Sequence, residues 1–128
     1  MILVDTSVWI DHFRRVDRSL RQLLEASRVA CHPFVIGELA CGTLRQRDEV
    51  LGALARLPAV PQASHDEVLW FVDHYGIAGR GVGWIDAHLL ASSRLAAGTR
   101  LWSRDRRLQD IAAELRLAWS EQEQGRKI

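Results

Sequence analysis

The chain opens on three consecutive apolar residues, Ile2-Leu3-Val4, and the run stops at Asp5. A short, unbroken apolar run closed by a polar residue has the form of a strand buried on both faces of a parallel sheet. The period then changes. Val8, Trp9, Ile10 and Phe13 follow at helical spacing behind Thr6 and Ser7, either of which can cap a helix. Asp17 or Ser19 opens a second helix, with Leu20, Leu23 and Leu24 on one face. Val29-Ala30-Cys31 predicts another short strand. Pro33 suits the first turn of the next helix, which Phe34, Val35, Leu39 and Ala40 carry on to Gly42 or Thr43. Between Arg45 and Leu57, residues Val50, Leu51, Leu54 and Leu57 repeat at helical spacing, and Pro58 and Pro61 end the run. Ser64 can cap a helix over residues 66–75, where Val68, Phe71, Val72 and Tyr75 share a face.

The one glycine-rich segment, Gly76 to Gly83, reads as a flexible connection, because no Gly-Lys-Ser/Thr follows to make a phosphate-cradling loop. Trp84 to Ala97 predicts a strong helix containing Asp86, stopped by Gly98. Arg100-Leu101-Trp102 is a strand candidate with Asp105 at its end. Leu108, Ile111, Ala112 and Leu115 mark a last helix, Leu117-Ala118-Trp119 an edge strand, and the polar tail from Glu121 is expected to fray. Strands alternating with helices predict an α/β protein with a parallel sheet covered on both faces. A length of 128 residues suits one domain spanning residues 1–128.

Composition adds limits rather than a function. The chain is 48% hydrophobic and 26% charged, as in an ordinary globular protein. No apolar run approaches the roughly 18 residues of a membrane span, and Asp5 interrupts the apolar start too early for a signal peptide. A cytoplasmic protein without membrane contact is expected. Cys31 and Cys41 lie in apolar stretches and read as two reduced core thiols. The net charge is only +1, but Lys127 is the sole lysine among 17 basic residues. An arginine-heavy composition often reflects genome base bias, so the clustering is more informative than the count. Arg14, Arg15, Arg18 and Arg21 form one patch, and Arg100, Arg104, Arg106 and Arg107 another; arginine's planar fork suits phosphate.

The candidate chemistry is carboxylate chemistry. In parallel sheets, ligands bind beyond the carboxyl ends of the strands, and Asp5 and Asp105 both stand where predicted strands end. Asp86 lies near a helix start in the otherwise apolar Trp84-Ile85-Asp86-Ala87, and Glu38 lies in the first half of another helix. Two carboxylates about 4 Å apart repel by about 4 kcal/mol at an effective dielectric near 20. Four that converged would need protons or a cation, and oxygen-only ligands suit Mg²⁺ or Mn²⁺, which can activate water for phosphodiester cleavage. Each residue also has a plainer reading: Asp86 as a helix-dipole partner, Glu38 as a surface charge, Asp105 as a turn or cap residue. Asp11, Asp66, Glu67, Asp73 and Asp110 read as surface charges.

Other chemistries find less support. None of the five histidines has metal-pair spacing, so His12 and His88 read as structural or surface residues. No Gly-x-Ser-x-Gly elbow presents a nucleophile. An aspartyl-phosphate enzyme would want a second Asp where Ser7 stands. Trp9, Trp70, Trp84, Trp102 and Trp119 sit in apolar patterns and read mostly as core or interface residues.

Four segments in order carry a family resemblance. Ile2-Leu3-Val4-Asp5-Thr6-Ser7 resembles the opening motif of PIN-domain nucleases, and Val8-Trp9-Ile10-Asp11 resembles their VapC-type toxin branch. Gly37-Glu38-Leu39 with Gly42 is similar to the second motif, Ile85-Asp86-Ala87-His88-Leu89-Leu90-Ala91 to the third, and Leu101-Trp102-Ser103-Arg104-Asp105 to the fourth. The resemblance implies a three-layer α/β/α sandwich around a short parallel sheet. It implies a Mg²⁺- or Mn²⁺-dependent endoribonuclease, the toxin of a toxin–antitoxin pair, partnered by a small antitoxin and often a homodimer. Asp5, Asp86 and Asp105 would hold metal, Glu38 would complete the acidic pocket, and Ser7, with Thr6, would help position the attacking water. The family's fourth motif commonly has Thr at Ser103 and an aromatic residue at Leu108. Arg14, Arg15, Arg104, Arg106 and Arg107 are the candidate RNA contacts. The alternatives are a catalytically silent PIN-like binding module and a nuclease of structured DNA.

Overall fold

The structure, a computed structural model, describes residues 1–122. Its elements run β1 (Ile2–Val4), α1 (Thr6–Arg14), α2 (Arg18–Glu25), β2 (Val29–Ala30), α3 (Pro33–Ala40), α4 (Arg47–Ala55), α5 (His65–His74), α6 (Trp84–Leu95), β3 (Arg100–Trp102) and α7 (Arg106–Glu114). The three strands form one parallel sheet in the order β2-β1-β3. Ile2 pairs with Val29 and Arg100, and Val4 with Trp102, so Asp5 and Ser103 leave adjacent strands at the same edge. The alternation predicted this parallel sheet, and the family resemblance its three-layer α/β/α arrangement.

Local chemistry sets most boundaries. Asp17 caps α2 by accepting from the Leu20 N–H, and Ser64 with Glu67 closes a reciprocal capping box on α5. Pro33 occupies the first turn of α3, capped by His32. In α1 the cap position falls to Asp5, without a side-chain cap bond, leaving Thr6 and Ser7 inside the first turn. The last strand candidate shrinks to a single bridge between Ala118 and Leu101. Part of the expected frayed tail, residues 123–128, lies outside the described residues.

The core is drawn from every layer. Leu3, Val4, Val8, Leu20, Leu23, Leu89, Leu90, Leu101 and Leu108 are fully buried. One apolar expectation needs correction. Cys31 is buried, but Cys41 is exposed, because it caps the C-terminus of α3 where the chain turns away from the core. Trp9, Trp102 and Trp119 are core residues, whereas Trp70 and Trp84 stand on outward helix faces, 59% and 39% exposed. Among the described residues no helix is long and apolar enough to cross a membrane.

Candidate active site

The site is built where β1 and β3 end. The Asp5 N–H donates to the Trp102 carbonyl at 2.9 Å, which continues the β1–β3 pairing one residue past the strand and holds Asp5 at the sheet edge. Its side chain is buried, 6% exposed. A buried carboxylate requires compensation, and two hydroxyls provide part of it. Ser103 Oγ donates to Asp5 Oδ2 at 2.7 Å, and Ser7 Oγ donates to the same oxygen at 2.9 Å. Ser103 joins Asp5 across 98 residues of sequence. Among the described residues no donor reaches Oδ1, which is the oxygen left to bind a ligand.

Each serine is itself fixed by a backbone donor. The Arg104 N–H donates to Ser7 Oγ and the Asp105 N–H to Ser103 Oγ, both at 3.0 Å. Gln109 supports the turn from behind: its Oε1 accepts the Ser103 N–H at 3.0 Å and its Nε2 donates to the Trp119 carbonyl at 2.8 Å. Sequence reasoning noted Ser103 only as a departure from the Thr common in the family's fourth motif and did not place it in the site. The available signal was a hydroxyl two residues before an aspartate at a strand end. Gln109 gave no such signal.

The other carboxylates approach from helices. Asp105 caps α7, its Oδ1 accepting from the Leu108 N–H at 3.1 Å, so the cap reading and the site position coexist. Glu38 lies exposed on α3 and accepts a hydrogen bond from Thr6 Oγ1 at 2.8 Å, which ties it to the start of α1. Asp86 stands in the first turn of α6. Burial pushes its carboxyl up to about 6, and the charge of Asp5 adds to the rise; a backbone hydrogen bond with Gly83 opposes it, and Asp105 and Glu38 raise it further. Asp86 therefore feels the other three carboxylates at once.

Among the described residues no three carboxylate, imidazole or thiol side chains close into a ready-made metal cage. An open, oxygen-only arrangement nevertheless fits Mg²⁺ or Mn²⁺, which take one or two protein carboxylates and keep several waters. The uncovered Oδ1 of Asp5 and the crowded Asp86 are the donors that such an ion would suit best.

The candidate arginines separate. Arg14 lines a groove of about 890 Å³ beside Glu38, together with Ile10, Phe13, Leu44 and Arg45. Arg15 caps the end of α1, and Arg106 and Arg107 occupy the first turn of α7 beside Asp105, all three exposed. Gly81, at φ +84°, lies so close to Arg107 that a Cβ there would sit 2.5 Å from Nη1, so Arg107 packs on the loop that leads into α6. Arg104 is engaged at the surface by three carboxylates, Asp11, Asp17 and Glu121.

The histidines serve structure. His12 Nδ1 accepts the Asp17 N–H at 3.0 Å. Fully buried His32 accepts from the Phe34 N–H, and burial, with His88 adding, pushes it down to about 4, so it is neutral. His88 packs against Phe34 and Trp84.

A parallel three-stranded sheet, with Asp5 at the end of β1 and an Asp86 that feels Asp5, Asp105 and Glu38, points to a class of protein, and sequence comparison agrees. The profile of the PIN domain matches residues 2–114, and the chain belongs to that family. Ribonuclease VapC32 of Mycobacterium tuberculosis is 51% identical over 122 residues, covering 95% of this chain and 98% of that protein. VapC ribonuclease Mb1587 of Mycobacterium bovis and Ribonuclease VapC11 of Mycobacterium tuberculosis are each 33% identical over 126 residues, covering 88% of this chain and 92% of theirs. Within the family the chain falls in the VapC-type ribonuclease branch.

Proposed function

We propose that the protein is a Mg²⁺- or Mn²⁺-dependent endoribonuclease acting as the toxin of a toxin–antitoxin pair, with Asp5, Asp86 and Asp105 as metal-holding residues and Glu38 and Ser7 completing the site. The observation that carries this reading is the crowding at the sheet edge: Asp86 is pushed up to about 6 by burial and by three neighbouring carboxylates. Such a cluster is costly to fold in the absence of a cation. A bound divalent ion would neutralise that charge, activate water and stabilise charge on the cleaved phosphate.

The chain's own residues do the positioning. Ser7 and Ser103 both donate to Oδ2 of Asp5 and fix the plane of its carboxylate, which would leave Oδ1 for an ion. Thr6 holds Glu38 at the rim. Arg14 in the adjoining groove, with Arg15, Arg106 and Arg107 nearby on the surface, supplies the positive charge that an RNA backbone needs to approach four carboxylates. Cleavage leaves 5′-phosphate and 3′-hydroxyl ends. A small antitoxin and a second copy of the chain are the expected partners, and the cytoplasm the expected compartment.

The test compares RNA and DNA substrates with the purified protein and its Asp86→Asn variant, in EDTA and after addition of Mg²⁺ or Mn²⁺. Cleavage of RNA that EDTA abolishes, the ions restore and the variant lacks is the expected result. Full cleavage by Asp86→Asn would sink the site assignment. A preference for structured DNA would favour the DNA nuclease. Absence of both metal binding and cleavage would favour the silent module.

A further inference from the structure

Arg104 stands between two site residues, Ser103 and Asp105, where an RNA-binding arginine would be expected to reach outward. Its guanidinium is instead already engaged by three carboxylates. Nη1 donates to Asp11 Oδ2 on α1 at 2.8 Å, and Nη2 donates to Glu121 Oε1 at 2.8 Å and also to Asp17 Oδ2 at the cap of α2. The guanidinium carbon also lies 5.4 Å from the centre of the Trp102 ring. Binding a phosphate would strip this fork of acceptors from three separate segments. Meanwhile the Arg104 backbone N–H donates to Ser7 Oγ at 3.0 Å.

We infer that Arg104 is a positioning residue for cleavage: its side chain clamps the Ser103–Asp105 turn onto α1 and α2, so that its own N–H fills an acceptor site on Ser7 and directs the Ser7 proton to Asp5 Oδ2. The Asp105 N–H does the same for Ser103 from within the same turn. Both serine protons then converge on one oxygen of Asp5. A loosened turn frees Ser7 to rotate, breaks the bond from the Asp105 N–H to Ser103 Oγ, and lets the Asp5 carboxylate swing. The inference rests on the proposed ribonuclease reading, and it removes Arg104 from the set of RNA contacts.

The test measures kcat, KM and the salt dependence of KM for RNA cleavage by Arg104→Gln, Arg104→Lys and Asp11→Asn. Loss of a group that orients metal ligands typically costs about 10–100-fold in activity. Arg104→Gln is therefore expected to lower kcat by that factor, with KM and its salt slope unchanged. Arg104→Lys should not rescue it, because one ammonium cannot fork across three carboxylates. Asp11→Asn should give a smaller loss in the same direction. A direct phosphate contact would instead raise KM, flatten the salt slope by about one, and be rescued by lysine; that pattern overturns the inference, as does an unchanged kcat in all three variants. If the wild-type protein cleaves no RNA, the ribonuclease reading fails separately, and hydrogen exchange still decides the clamp. Faster exchange of residues 103–108 and 5–9 in Arg104→Gln supports it, and unchanged exchange overturns it.

Discussion

The two halves of the acidic edge are built on opposite principles. On the β1–β3 side, Asp5 is buried, accepts two hydroxyl donors on one oxygen, and rests on serines that are each held by a backbone N–H. On the α3–α6 side, Glu38 is exposed with a hydroxyl donor from Thr6, and Asp86 is dominated by burial and repulsion. The first half is preorganised by hydrogen bonds within the chain. The second holds negative charge in place because helices α3 and α6 are anchored in the core by Leu39, Leu89 and Leu90. On the proposed reading, the first half would fix the geometry of the site and the second would draw the cation.

Substitutions on the two sides should therefore move stability in opposite directions. The largest effect is on activity: Asp86→Asn is expected to abolish RNA cleavage in an endpoint assay while leaving the circular dichroism spectrum unchanged. Next in size, Ser103→Ala should destabilise the protein by about 1–3 kcal/mol, because it leaves a buried carboxylate short of a donor and the Asp105 N–H without its acceptor. Thermal melting in EDTA reads that loss directly. Asp86→Asn should instead raise the melting temperature of the metal-free protein at pH 7.5 by a few degrees, roughly the shift of 1 kcal/mol in a domain of this length.

The sign of that gain follows from the direction of the shift. Asp86 is raised in the folded protein, so its contribution to metal-free stability is present below the ordinary carboxylate range and is lost as pH rises through about 6. The advantage of Asp86→Asn should shrink below pH 6 and vanish near pH 4. A variant with a constant advantage across that range would contradict the repulsion account. Conversely, Mn²⁺ should raise the wild-type melting temperature more at pH 7.5 than at pH 5.5, because protonated Asp86 is a poor ligand. The smallest effect is predicted for Glu38→Gln, which keeps an acceptor for Thr6 and removes only an exposed charge. Its metal-free melting temperature should stay within about a degree, in keeping with surface substitutions of under roughly 0.5 kcal/mol.

Much of the fold could be read along the chain because its signals are local. The Ile2-Leu3-Val4 run, Pro33 in the first turn of α3, Asp17 and Ser64 as caps, and the glycine at the end of α6 each act within a few residues. The same locality placed Asp5 and Asp105 at strand ends and showed Asp105 as a cap before it could be shown as a site residue. Asp86 drew notice by its apolar surroundings, but its convergence with Glu38 on one site rested on the resemblance to family motifs, since a helix surface and a helix first turn give acidic residues other reasons to be there.

Contacts across the fold obey no such local rule. Whether Ser103 reaches Asp5, whether Arg104 faces RNA or three carboxylates, and whether Trp84 and Cys41 are buried all depend on which elements come together. Apolar spacing and short unbroken apolar runs, with caps and prolines, assigned the helices and strands, because a buried helix face recurs every third or fourth residue and a strand buried on both faces is apolar throughout. The partners of Asp5 and Arg104 lie as far as 98 residues away, and a hydrogen bond is decided by tenths of an ångström rather than by pattern. Acidic residues at the sheet edge were thus legible from the chain, while the division of that edge into a locked half and a repelling half belongs to the tertiary structure.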